Sequence, residues 1–236
     1  MGFHSFVNTA QFSYTARDFK KNGDRYCLAP VGSREWVEWW GEEERRCAEG
    51  YTSGGLWIPG RYYHYLNFTP IMKVDDAVAM AMYRDGRSKK DGKISRTVSD
   101  RIMGFPRFYE VDYEWYNFKH IAWNGGEFMG ITSQGAKHIC CGKTRGAGFS
   151  YKEAQDGVYN YTFIDGSISY YFAGIEQYLT KDGILNKVQP MLDFTNDNCI
   201  EWKKNRQKKN TLLHQKASYL DAAGVERGSM SEIIGI

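Results

Sequence analysis

The sequence predicts an α/β protein in two parts: an aromatic-rich α+β N-terminal subdomain over residues 1–125, then a mixed strand-and-helix core over residues 126–236. Three observations predict this. Aromatic side chains recur at helical spacing between recognisable caps in the first half. A short apolar run, a glycine-bearing loop and a helical stretch follow one another between residues 136 and 161. Two further strand-like runs lie at 167–173 and 232–236. The 236 residues suffice for a sizeable core, and the 17 Tyr and 7 Trp imply a dense aromatic core or an aromatic binding surface.

The first expected helix spans residues 33–49. Ser33 caps it, Trp36, Val37 and Trp40 share a face, Glu42 stands four before Arg46, and Gly50 ends it. Residues 50–60, with four glycines and a proline, read as a turn region. The aromatic, partly alternating run 61–71 reads as a strand closed by Pro70, residues 75–83 as a short Ala/Met-rich helix, and 84–99 as a mobile polar loop. A second aromatic helix is expected over 109–123, where Tyr113, Tyr116, His120 and Trp123 keep helical spacing before Gly125-Gly126. Beyond it come a buried strand at 136–141, a helix at 150–161, a strand at 167–173 and a helical stripe of Ile184, Leu185, Val188, Met191 and Leu192.

Composition excludes several classes. No apolar run approaches the roughly 20 residues a membrane-spanning helix needs, and the start lacks a basic segment followed by a long apolar one, so neither signal peptide nor membrane anchor is expected. The five cysteines, Cys27, Cys47, Cys140, Cys141 and Cys199, show no CxxC or Cys/His ligand spacing, which predicts buried thiols in a reducing cytoplasm and no zinc site. A net charge of +3 is too small to argue nucleic-acid binding, and the basic runs at 84–93 and 203–209 read first as solvated loops.

The segment Lys143-Thr144-Arg145-Gly146-Ala147-Gly148-Phe149-Ser150 carries the chemistry. A phosphate-binding loop wraps phosphates with backbone N–H groups, sends a cation to the outer phosphates and offers Mg²⁺ a hydroxyl. Reading Gly142-Lys143-Thr144 as the loop's end fails, because Lys137 stands where the first glycine belongs. In the other register Lys143 heads the loop, Gly146 and Gly148 supply the tight bends, Phe149 takes the place of the usual lysine, and Ser150 supplies the hydroxyl. Taken alone, a Gly-Ala-Gly between polar residues is equally an ordinary turn, and the expected strand before and helix after favour phosphate.

At this loop the sequence resembles the large terminase subunits of tailed bacteriophages, many of which carry Lys at the head of the loop and Gly-aromatic-Ser at its foot, as at Lys143, Gly148, Phe149 and Ser150. Residues 60–71, 105–115 and 216–236 look like the same family. The resemblance implies an incomplete P-loop NTPase core of the ASCE type, binding ATP and Mg²⁺, in a motor ATPase that drives viral double-stranded DNA into a procapsid. Lys143 would then contact the β and γ phosphates, Arg145 the transferred phosphoryl group, Thr144 to Phe149 the remaining phosphate oxygens, and Ser150 the metal. The implied partners are double-stranded DNA, a portal protein, a small terminase subunit and further copies in a homo-oligomeric ring, in the cytoplasm of an infected bacterial host. For Phe105-Pro106-Arg107 two readings stay open, adenine contact and a helix-entry turn with core aromatics.

The family continues to a Walker B strand with paired acids, a coupling motif and a nuclease. Phe163-Ile164-Asp165 and Met191-Leu192-Asp193 each offer one acid, and read rather as a turn and a helix face. The expectation is therefore nucleotide binding with weak or absent turnover and no nuclease activity. The alternatives are another P-loop domain, helicase-like or kinase-like, and a non-enzymatic aromatic-rich binding protein in which 143–150 is a turn. Elsewhere, Glu42-Glu43-Glu44 reads as a solvated helix face, Cys140 and His138 as an enclosed structural pair, and His64, His120 and His214 lack ligand spacing.

Overall fold

The computed structural model describes residues 14–74, 101–143, 148–181, 183–206 and 211–236. The expected helix at 75–83 and loop at 84–99 lie outside the described residues, as does the end of the basic run at 207–209. The chain opens with helices α1 (Tyr14–Lys21) and α2 (Arg34–Glu49), followed by a hairpin of β1 (Tyr51–Ser53) and β2 (Leu56–Ile58), helix α3 (Gly60–Phe68), and the antiparallel pair β3 (Ile71–Val74) and β4 (Arg101–Gly104). Helix α4 (Glu110–Asn124) leads into the hairpin of β5 (Gly126–Phe128) and β6 (Ile131–Ser133), then α5 (Phe149–Phe163), β7 (Ile168–Tyr171), α6 (Gln177–Thr180) and α7 (Leu185–Asn198). Strands β8 (His214–Lys216), β9 (Tyr219–Leu220), β10 (Glu226–Arg227) and β11 (Glu232–Gly235) complete it. The expected helices at 33–49, 109–123 and 150–161 and the strands near 167–173 and 232–236 all form, and β11 lies between β7, to which it is parallel, and β8, to which it is antiparallel.

Local chemistry accounts for the helix ends. The Ser33 hydroxyl accepts the Trp36 N–H at 3.2 Å, and Gly50, at φ 97°, closes α2 with its N–H on the Arg46 carbonyl. Arg46 reaches Glu42 at 2.9 Å as its spacing predicts.

Two expectations fail here. Residues 61–71 form α3 for most of their length instead of a strand, and α3 is buried at every position from Tyr62 to Phe68. A helix enclosed on all sides carries no polar stripe, so its 3.6-residue period is invisible and its aromatic side chains mimic a strand. Glu43 is not solvated: it is 3 % exposed, accepts hydrogen bonds from Tyr63 at 2.7 Å and Arg46 at 2.9 Å, and burial raises its carboxyl pKa against the pull of those partners. Only Glu44 of the run is fully exposed.

An aromatic cluster fills the space between α2, α3, α4 and α5, with Trp40, Tyr62, Phe68, Tyr116, Tyr159 and Trp202 all buried. It draws on residues from both sides of position 125. A second, more aliphatic cluster packs Ala154, Val158 and Tyr161 of α5 against Leu185, Val188 and Met191 of α7 and Ile233 of β11. Helix α5 thus serves both cores and fixes the position of everything attached to its start.

His64 sits in the first cluster with no exposed surface, its Nδ1 3.0 Å from the Gln155 amide. Burial, and next the Arg61 charge, push its pKa down to about 3. The unfolded chain therefore binds more protons at this site, and its contribution is complete above the ordinary histidine pKa and lost as pH falls towards 3. Stability is expected to drop by up to about 1.4 kcal/mol per pH unit through this residue. Glu43, Asp112 and Glu153, whose pKa values are raised, act with the opposite sign. The check is urea unfolding between pH 7 and 5, where His64→Gln should flatten the slope; an unchanged slope contradicts it.

Candidate nucleotide-binding cleft

Gly148 adopts left-handed backbone angles, φ 70° and ψ 7°, immediately before α5, a conformation that glycine takes without the steric cost a Cβ would add. Its carbonyl accepts the N–H groups of Tyr151 at 3.0 Å and Lys152 at 3.4 Å, so the chain turns directly from the loop into the helix. Phe149 packs against Trp115 of α4, ring centroids 4.7 Å apart, and the Lys152 ammonium lies 4.9 Å from the Phe149 ring centroid. Lys152, 2 % exposed, forms a buried ion pair with Asp112. Burial raises the Asp112 pKa, and Lys152 holds it down in part. The start of α5 is thereby clamped to α4.

The two helices and the segment before the loop enclose a cleft of about 470 Å³. Trp115, Lys119 and Trp123 come from α4 at steps of four, Phe149, Glu153 and Asp156 from α5 at steps of four and three, and Lys137 and Lys143 from the segment opposite. Lys119 reaches Asp156 at 2.9 Å and Glu153 at 3.4 Å. Asp156 also binds Arg61 at 2.7 Å, and Arg61 continues to Asn160 at 2.8 Å. Burial by itself would raise the Asp156 pKa, and the Arg61 and Lys119 charges more than offset it. For Glu153 burial prevails over Lys119, and its pKa is raised. A second recess of about 340 Å³ lies alongside and shares Lys119 and Trp123 with the first.

Of the residues expected at the site, Lys143 is exposed and lines the larger cleft together with Phe149. Gly148 and Ser150 flank Phe149, and Ser150 is exposed. Thr144, Arg145, Gly146 and Ala147 lie outside the described residues. Phe105 packs edge-on against Phe19 and Phe194, each 5.7 Å away, and Pro106 is buried. Neither they nor Arg107 line the cleft.

The expected buried strand at 136–141 is corrected: these residues pair with no strand among the described residues, and Ile139, Cys140 and Cys141 are exposed. Lys137, at φ 63°, breaks the extended run and donates its N–H to the Ala122 carbonyl at 2.8 Å. A strand needs neighbours for its backbone groups, and here α4 takes that role at one position. The expectation of buried thiols therefore holds for Cys47 and Cys199 and fails for Cys140 and Cys141, and with it the enclosed pairing of Cys140 and His138. Asp165 and Asp193 lie at a helix end and on a helix, opposite Lys204 and Arg206 respectively.

Sequence reading missed Lys119, Glu153 and Asp156. The available signal was their regular spacing along α4 and α5. Among the described residues no helix is long and apolar enough to cross a membrane, and no group of three or more His, Cys, Asp or Glu side chains is arranged to hold a metal ion. No family model, curated protein or solved structure matches this chain.

Proposed function

We propose that this chain is the ATP-binding part of a terminase-like motor, an ATPase that moves viral double-stranded DNA into a procapsid in the cytoplasm of a bacterial host. The supporting observation is that Lys143 and the start of α5 meet at one cleft. The first turn of a helix presents N–H groups with no intrahelical acceptor, and its dipole favours an anion there. Gly148 allows the backbone to turn around phosphate oxygens, Lys143 supplies the charge that Phe149 cannot, and Ser150 is the hydroxyl assigned to Mg²⁺. Arg145 is assigned to the transferred phosphoryl group, where electrostatic positioning is most of what the reaction asks of a protein. In this reading the P-loop NTPase core is of the ASCE type, and DNA, the portal protein, the small terminase subunit and a ring of identical subunits are the partners.

Titration of ATP with Mg²⁺ tests the reading, with the fluorescence of Trp115 and Trp123 in the cleft as the signal. Lys143→Ala is expected to weaken binding roughly ten- to a hundredfold, the loss of one charge-assisted contact. Absence of binding in the wild type, or equal affinity in the variant, overturns the proposal.

A further inference from the structure

The larger cleft and the smaller recess differ in chemistry. Lys137 and Lys143 face the first. The second is walled by Arg61, His120, Trp123 and the Asn124 amide, with Glu49 at its side. Arg61 and Lys119, the cations within reach of this recess, share Asp156 at 2.7 and 2.9 Å, and Lys119 also meets Glu153 at 3.4 Å, so two carboxylates already face the two cations. An anionic group therefore gains little there, whereas a flat, uncharged ring gains two aromatic surfaces. Trp123 is 42 % exposed, with the Arg61 guanidinium over its ring at 5.6 Å from the centroid. The His120 ring is fixed by the edge of Trp57, centroids 4.6 Å apart, and its Nδ1 lies 3.2 Å from the Asn124 amide nitrogen.

We infer that the recess formed by Arg61, His120 and Trp123 is the subsite for the aromatic base of the nucleotide whose phosphates lie at Lys143. The inference rests on the ATP-binding reading. Trp123 and Lys119 line both cavities, so the two lie side by side, and each volume falls within the roughly 300–1,000 Å³ typical of small-molecule sites. Base stacking falls to Trp123, while Asn124 and His120 supply hydrogen bonds to the base edge. Phe105 and Pro106 are spent on core packing and do not compete for this role.

The test compares two probes, Mg²⁺-ATP and Mg²⁺-tripolyphosphate, which share the three phosphates and differ in the adenosine, with the Trp123 variants separating the base from the ribose. Displacement of a fluorescent ATP analogue measures both on wild type, Trp123→Ala, Trp123→Phe and Lys143→Ala, each first shown to have the wild-type circular dichroism spectrum. Wild type is expected to bind ATP at least tenfold more tightly than tripolyphosphate, the scale of one base–aromatic stack. Trp123→Ala should lose that margin and keep its tripolyphosphate affinity, Trp123→Phe should regain most of it, and Lys143→Ala should weaken both ligands. Equal wild-type affinities for the two probes, an unchanged ATP affinity in Trp123→Ala, or a parallel loss of both ligands in that variant overturns the base subsite while leaving phosphate binding intact. Failure of wild type to bind either probe overturns the ATP-binding reading itself.

Discussion

Replacing Asp156 by Ala is expected to cost roughly 3–5 kcal/mol of stability, the penalty for stranding charges that were paired in a buried place. Asp156 is the shared anion of Arg61 and Lys119, with oxygens 2.7 and 2.9 Å from their nitrogens, and the side chains of those partners are 18 % and 9 % exposed. Neither cation has another carboxylate at that distance among the described residues: Arg61 turns otherwise to the neutral Asn160 at 2.8 Å and to the Tyr159 ring, 4.3 Å from its guanidinium carbon, and Lys119 is left with Glu153 at 3.4 Å. The consequence reaches the cleft, because Lys119 lines both cavities and Arg61 the smaller one. Urea unfolding should show a lower midpoint with an unchanged slope. Combining Asp156→Leu with Lys119→Met should recover part of the loss, since it removes one of the two stranded cations and leaves Arg61 as the other. A single-variant loss under about 1 kcal/mol would show the network to be solvated and marginal.

Gly60→Ala is expected to destabilise by roughly 3 kcal/mol or more, through overpacking against backbone that cannot move aside. A Cβ at this position would stand 2.0 Å from the Cys47 carbonyl oxygen and 2.7 Å from its carbon. That same oxygen accepts the Tyr159 hydroxyl at 2.8 Å, so α2, α3 and α5 converge on one point. Making room requires α3 to leave α2, which also opens the Tyr63–Glu43 contact at 2.7 Å. For a chain of this size the loss corresponds to a fall in Tm of roughly 6–12 °C, measurable by calorimetry. An unchanged Tm contradicts the close approach of the two helices.

Much of the fold was legible because its causes are local. Helix α2 is written in Ser33, in the spacing of Trp36 and Trp40 and in Gly50, and α4 in Tyr113, Tyr116 and Gly125, because caps and amphipathic periods act over a few residues. At the candidate site the sequence alone indicated Lys143 and the turn into α5 at Gly148, since the positive φ that glycine permits is a single-residue property. Strand β11 was likewise readable from its short apolar run, although its parallel pairing with β7, more than 60 residues earlier, was not.

What the sequence by itself determined, then, is the position of most helices and of the turn into α5 at Gly148. Only the tertiary structure decided what surrounds them. Residues 60–68 became helix because α1, α2, α4 and α5 enclose them, and Glu43 became a buried acceptor because Tyr63, 20 residues away, turns its hydroxyl inward. The cleft arose from Trp115 meeting Phe149, and the recess beside it from Arg61 meeting Asp156 across 95 residues of chain. The exposed course of residues 136–141 was decided by the absence of a strand beside them among the described residues. In each case the deciding energy is a contact between residues far apart in the chain, and no local propensity encodes which distant side chain will arrive.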